Sequence, residues 1–142
     1  IPSGKGLTYV DMTCSAGYTY TYRIKTTISL PDKTVVTSGY SASKSGTAVL
    51  DKALITKAVV NGTTVNLRWK KVTGANGYEI YRGTEKNGKY YKIKIVYPGS
   101  RQSFTNQALK AGKRYYYKIR AYGKVNGKKI YGEYSEAYQV RT

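Results

Sequence analysis

Glu133 and Glu136 flank Tyr134 and are the nearest approach in this chain to a catalytic carboxylate pair. A glycosidase-type reaction needs one carboxylic acid to protonate a leaving oxygen and a second carboxylate to attack or to activate water. Here the two fall on a turn and on outward strand positions, where water keeps both ionised. Cys14 is the sole thiol, and histidine is absent altogether. Without histidine the chain lacks the usual general base, the Ser-His and Cys-His nucleophile pairs and the commonest metal ligand. One cysteine cannot build a zinc site and excludes an internal disulfide, and no loop of spaced Asp and Asn suggests calcium. The expectation is a protein without catalytic residues, metal or cofactor.

The other residues with chemical potential are tyrosine, lysine and arginine. The chain carries 17 tyrosines and a formal charge of +18, from 25 basic and 7 acidic side chains. Most of that surplus lies beyond residue 50. Arg114, Tyr116, Lys118 and Arg120 alternate with Tyr115, Tyr117, Ile119 and Ala121, so one set faces inward and the other outward if the segment is a strand. Tyr81, beside Glu79, and then Tyr90, Lys92 and Lys94 fall on outward positions of two neighbouring segments. Together these form a candidate ligand face. Aromatic rings interleaved with cations can stack on sugars or bases while holding phosphates. That composition suits an anionic wall polymer or glycan. Cross-strand Tyr/Lys pairing that only stabilises an exposed sheet explains the same pattern. No arginine array suggests base readout, so sequence-specific nucleic-acid binding is not expected.

Strands must position these residues. Tyr, Thr and Val fit a pleated, half-buried surface, and the chain is rich in them. Val65, Leu67 and Trp69 alternate with Asn66, Arg68 and Lys70 in period two. Asn-Gly at 61–62, 76–77, 87–88 and 126–127 punctuates the runs as turns do, the first expected as a type I′ turn. Seven short strands between 51 and 142 predict an all-β sandwich. No apolar run is long enough to span a membrane.

One element occurs twice. CSAGYTYTYRIK at 14–25 returns as LKAGKRYYYKIR at 109–120, an offset of 95 that also aligns Asp11 with Asn106. Ser41 matches Ser135 at an offset of 94, and Ile1-Pro2 matches Tyr97-Pro98 with a one-residue slip. The stretch from about 51 to 96, with Trp69, occurs once.

The segments VNLRWKKVTGANGYEIYRGTEKNGKYYKI and SFTNQALKAGKRYYYKIRAYGKVNGKKIYGEYSEAYQV resemble a fibronectin type III domain. The style is that of lysine- and tyrosine-rich surface and secreted proteins of Gram-positive bacteria. The resemblance implies an immunoglobulin-like sandwich with Trp69 and Tyr78 in the core. It also implies a tyrosine corner from Leu109 and Tyr115, in which a buried ring bonds backbone a few residues upstream. Residues 51–142 resemble a complete domain. Residues 1–50 resemble only its C-terminal half, strands E to G, with Cys14 in place of the corner leucine and Tyr20 as the corner tyrosine.

Such a half leaves Val10, Tyr20, Tyr22 and Ile24 as a core surface without an opposite sheet. The expectation is that the half is ordered and covered, with another polypeptide supplying the missing strands. A proteolytic remnant, a separate fragment and two chains sharing their exposed sheets all fit. The resemblance further implies an extracellular, secreted or wall-associated spacer or interaction module of a larger protein, with the basic tyrosine-rich face as a binding alternative.

Overall fold

The computed structural model describes residues 8–142, and these contain strands and turns but no helix. The matched Ile1-Pro2 lies outside the described residues. The chain divides into two compact units, 1–48 and 49–142.

In the first unit β1 (Thr19–Tyr22) pairs antiparallel with β4 (Lys44–Thr47), and β2 (Thr27–Ser29) with β3 (Val35–Thr37). A tyrosine corner anchors the unit: the Ser15 amide donates to the Tyr20 hydroxyl at 2.9 Å. Between the two ladders, Ser41 clasps the backbone of Ile24 twice. Its amide donates to the Ile24 carbonyl at 2.8 Å, and its hydroxyl accepts from the Ile24 amide at 3.0 Å.

The second unit contains β5 (Ile55–Asn61), β6 (Thr64–Trp69), β7 (Gly77–Gly83), β8 (Tyr91–Val96), β9 (Ser103–Asn106), β10 (Arg114–Val125), β11 (Lys128–Tyr131) and β12 (Tyr138–Arg141). One sheet runs β5-β6-β9, and the other β11-β10-β7-β8 with β12 also on β10. This is a β-sandwich of three strands against four, the last strand being broken into β11 and β12. Alternation decides which side chains enter the core. Val65, Leu67 and Trp69 of β6 are buried, as are Tyr78 and Ile80 of β7 and Tyr115, Tyr117, Ile119 and Ala121 of β10. Trp69 meets Tyr78 edge-on with ring centroids 5.2 Å apart, and the Tyr78 hydroxyl accepts from the Val72 amide at 2.9 Å. The corner hydroxyl of Tyr115 accepts from the Lys110 amide at 3.0 Å, with Leu109 buried beside it.

The turns differ from the sequence expectation in two places. Asn61 pairs with Thr64 inside the ladder, so the loop is Gly62-Thr63, with positive φ (55°) at the glycine. That is the pattern of a type II′ turn rather than I′. Asn126-Gly127 has both residues at positive φ (49° and 79°), the type I′ pattern. Gly77 is not a turn residue but the first residue of β7. A Cβ there would lie 2.5 Å from the Val96 carbonyl oxygen and 2.7 Å from the Tyr122 hydroxyl. Gly77→Ala is therefore expected to cost about 2 kcal/mol through overpacking, read as a lower urea midpoint at unchanged m-value.

The apolar face of the first unit carries exposed side chains among the described residues. Val10 and Ile24 are exposed, Ile24 by 67%, whereas its counterpart Ile119 is 0% exposed. The reason is topological: Ile119 sits beneath the β5-β6-β9 sheet, and the described residues of the first unit form only strands that correspond to β10, β11 and β12.

Candidate functional site

The outward face of β7 and β10 carries the densest chemistry in the second unit. Register places Glu79 directly opposite Arg120, and Tyr81 opposite Lys118. Sequence alternation turns Glu79 away from the core, yet its side chain is 0% exposed. It is buried because its neighbours fold over it. Arg120 donates to Glu79 Oε2 from Nη2 at 2.8 Å and from Nε at 3.1 Å, and the Tyr81 hydroxyl donates to the same oxygen at 2.7 Å. Lys92 of β8 and Lys129 of β11 approach Oε1 at 3.4 and 3.5 Å.

Tyrosines enclose the guanidinium. Arg120 lies 3.8 Å from the ring centre of Tyr131, 4.8 Å from that of Tyr134 and 5.5 Å from that of Tyr81. Tyr81 and Tyr134 themselves meet edge-on at 5.1 Å. Burial pushes the Glu79 carboxyl up, but the hydrogen bonds from Arg120 and Tyr81 and the charges of Arg120 and Lys92 outweigh it and bring it down to about 2. Burial, with the Tyr134 and Glu79 hydrogen bonds, pushes the Tyr81 phenol well above its ordinary range. Near neutral pH Glu79 and Tyr81 therefore neither give nor take a proton. The cluster holds one carboxylate against three cations and presents the surplus positive charge at its rim, where Lys92 is 46% exposed.

The remaining face residues divide. Lys118 lies over the Tyr90 ring at 4.5 Å, and the Tyr90 hydroxyl donates to the Lys86 carbonyl at 2.8 Å. Tyr116, half-buried, pairs with Gly83, and exposed Arg114 stands at the start of β10 opposite Arg141. Thus Tyr81, Lys92 and Arg120 converge on Glu79, while Tyr90 and Lys118 form a neighbouring patch. Lys94 does not join them. A bulge after Ile80 shifts the β7–β8 register, so Lys94 pairs with core-facing Ile80 and lines a groove between β8 and β9 with Arg101 and Phe104.

Glu133 and Glu136 make no pair. Glu136 is bound by Lys52 at 2.5 Å, and the Lys52 hydrogen bond holds its carboxyl below the usual range. Among the described residues no three His, Cys, Asp or Glu side chains gather as a metal set. Sequence reasoning missed Glu79 as the centre of the cluster; the available signal was a lone acid at a strand position ringed by basic residues.

Asn106 organises a second polar contact at the edge of the core. Its Oδ1 accepts from the Tyr117 hydroxyl at 2.9 Å and from Arg82 Nη1 at 3.0 Å, and the Arg82 guanidinium lies over the Tyr115 ring at 5.3 Å. Burial pushes the Tyr117 phenol up to about 12 against the lowering charge of Arg82.

No protein-family model matches the chain, and no curated protein does. Solved structures do. The sixth fibronectin type III domain of human fibronectin type III domain-containing protein 3 aligns at a TM-score of 0.56, with 18% identity over 68% of this chain and 89% of that domain. The beta-1,2-glucanase from Parabacteroides distasonis also aligns at 0.56, with 19% identity over 66% of this chain but only 13% of the enzyme. An Fn3-like protein from Clostridium thermocellum is 28% identical over 61% of this chain and 88% of that one, at a TM-score of 0.48. The fold is the fibronectin type III β-sandwich.

Proposed function

We propose that this chain is a non-catalytic region of a larger extracellular protein, secreted or held at a bacterial cell surface, that spaces or presents neighbouring parts. The closed state of the Glu79 cluster supports this reading most directly. Its arginine, its carboxylate and three of its tyrosines satisfy one another, which is how a sheet surface is stabilised rather than how a ligand is awaited. Glu79 held at about 2 is unsuited to general acid–base work near neutral pH. A fold of this kind carries many functions, so the reading rests on the site and not on the architecture.

A second reading has its own observation. Lys92 at the cluster rim, and Lys118 stacked on Tyr90, leave cations and a ring on one face. That face would suit an anionic wall polymer or glycan. Binding to teichoic acid, peptidoglycan and an acidic glycan at low and high salt separates the two. The spacer reading expects no affinity at either salt. Affinity that falls as salt rises and is lost in Lys118→Ala with Tyr90→Ala would replace it with the binding reading. Arg120 is unsuited as the test residue, because its removal uncovers Glu79.

A further inference from the structure

The two units are built alike to the level of single hydrogen bonds. Every ladder pair of the first unit recurs in the second. Tyr20 pairs with Gly46 as Tyr115 pairs with Val140, Tyr22 with Lys44 as Tyr117 with Tyr138, and Ile28 with Val36 as Gly123 with Ile130. The corner bond from the Ser15 amide to Tyr20 repeats that from the Lys110 amide to Tyr115. Ser41 holds Ile24 as Ser135 holds Ile119. Their cores differ. Tyr117 is 0% exposed under the β5-β6-β9 sheet, while Tyr22 is 40% exposed.

Asp11 adds a chemical instruction. It stands where Asn106 stands, and its Oδ2 accepts from the Tyr22 hydroxyl at 3.0 Å as Asn106 accepts from Tyr117. In the second unit the same acceptor also takes the guanidinium of Arg82 from β7. The first unit has a carboxylate at this point, held ionised by the Thr13 hydroxyl and amide, which bring it to about 2. Among its described residues no strand corresponds to β7.

We propose that the first unit is the docking surface for a segment of the same build as residues 53–96. Two strands of that segment cover the Tyr20–Tyr22–Ile24 face as β5 and β6 cover that of β10, and two extend the β1–β4 sheet along β1 as β7 and β8 extend that of β10. That segment, supplied by another stretch of polypeptide, lays apolar side chains from its facing strands on Tyr22 and Ile24. It brings a guanidinium or ammonium group to Asp11 from the strand that pairs with β1, as Arg82 of β7 reaches Asn106. The proposal rests on the duplicated geometry and stands whichever reading of the function holds.

Two measurements test it. In a chain of residues 1–142, Cys14 is expected to react readily with a thiol reagent, and light scattering is expected to show no dimer. A dimer that shields Cys14 and is broken by Ile24→Asp would give the face to a second copy and overturn the proposal. In a chain with residues 49–96 duplicated ahead of Ile1, Cys14 labelling is expected to slow about tenfold or more and amide exchange at Tyr22 and Ile24 to slow with it. Arg82→Ala in the added copy should reverse much of that protection, and Arg82→Lys should retain it. Unchanged labelling and exchange in the first unit, with protection of Tyr117 and Ile119 intact, would mean that such a segment does not fit the face.

Discussion

Arg120→Ala is expected to lower the stability of the second unit by about 3 kcal/mol, which makes a surface-facing arginine as important as a core residue. The substitution strips two hydrogen bonds from a fully buried carboxylate. Breaking a buried pair by removing one partner costs about 3–5 kcal/mol, because the other charge is left uncompensated. The lower end applies because Lys92 and Lys129 remain within 3.5 Å of Glu79. Replacing both partners, Glu79→Leu with Arg120→Leu, is expected to recover most of the loss, since no charge then remains stranded. Urea unfolding followed by the fluorescence of Trp69 reads this unit alone, the chain having one tryptophan. Equal losses in the single and double variants would refute the account.

The same pair sets a pH dependence. Glu79 titrates at about 2 in the fold against an ordinary 4.5. A carboxyl whose folded value is depressed contributes stability that is fully present above the ordinary value and is lost as pH falls towards the folded one. The second unit should therefore weaken between about pH 4.5 and 2, and Glu79→Gln should flatten that part of the profile.

Trp69→Ala is expected to cost about 3–5 kcal/mol, the range for emptying a large aromatic site in a core. The ring is buried between the sheets and packs edge-on against Tyr78. Trp69→Phe keeps a ring against Tyr78, and the indole N–H has no hydrogen-bond partner among the described residues to lose. Its cost should stay under about 2 kcal/mol. Circular dichroism reads both, since the fluorophore is gone. A Phe variant as damaged as the Ala variant would show that the core requires the full indole and not merely a ring against Tyr78.

Much of this architecture is legible in the sequence because its signals are local. The alternation of Tyr115, Tyr117 and Ile119 against Tyr116, Lys118 and Arg120 identifies the buried face of β10, and Leu109 six residues before Tyr115 marks the corner. Other features depend on what neighbouring strands do. Alternation sends Glu79 outward but is silent on whether Arg120 and Tyr81 will close over it. Lys94 leaves the face because of a bulge in the β7–β8 ladder, which no run of residue types announces. At Asn61-Gly62 the ladder continues one residue further than the dipeptide suggests, and the turn becomes Gly62-Thr63. The exposed face of the first unit was visible as an imbalance between two copies of one motif and one copy of its complement.

The serine clasp explains how the two copies can differ in length and still agree in register. Ser41 and Ser135 each fasten the backbone partway along their hairpin, at Ile24 and Ile119. Beyond that fastening, the hairpin tip of the first unit spans one residue more, 30–34 against 125–128, while the ladders below it stay aligned. A short insertion at 30–34 is expected to leave the register below the clasp unchanged, read as unchanged amide exchange at Ile24.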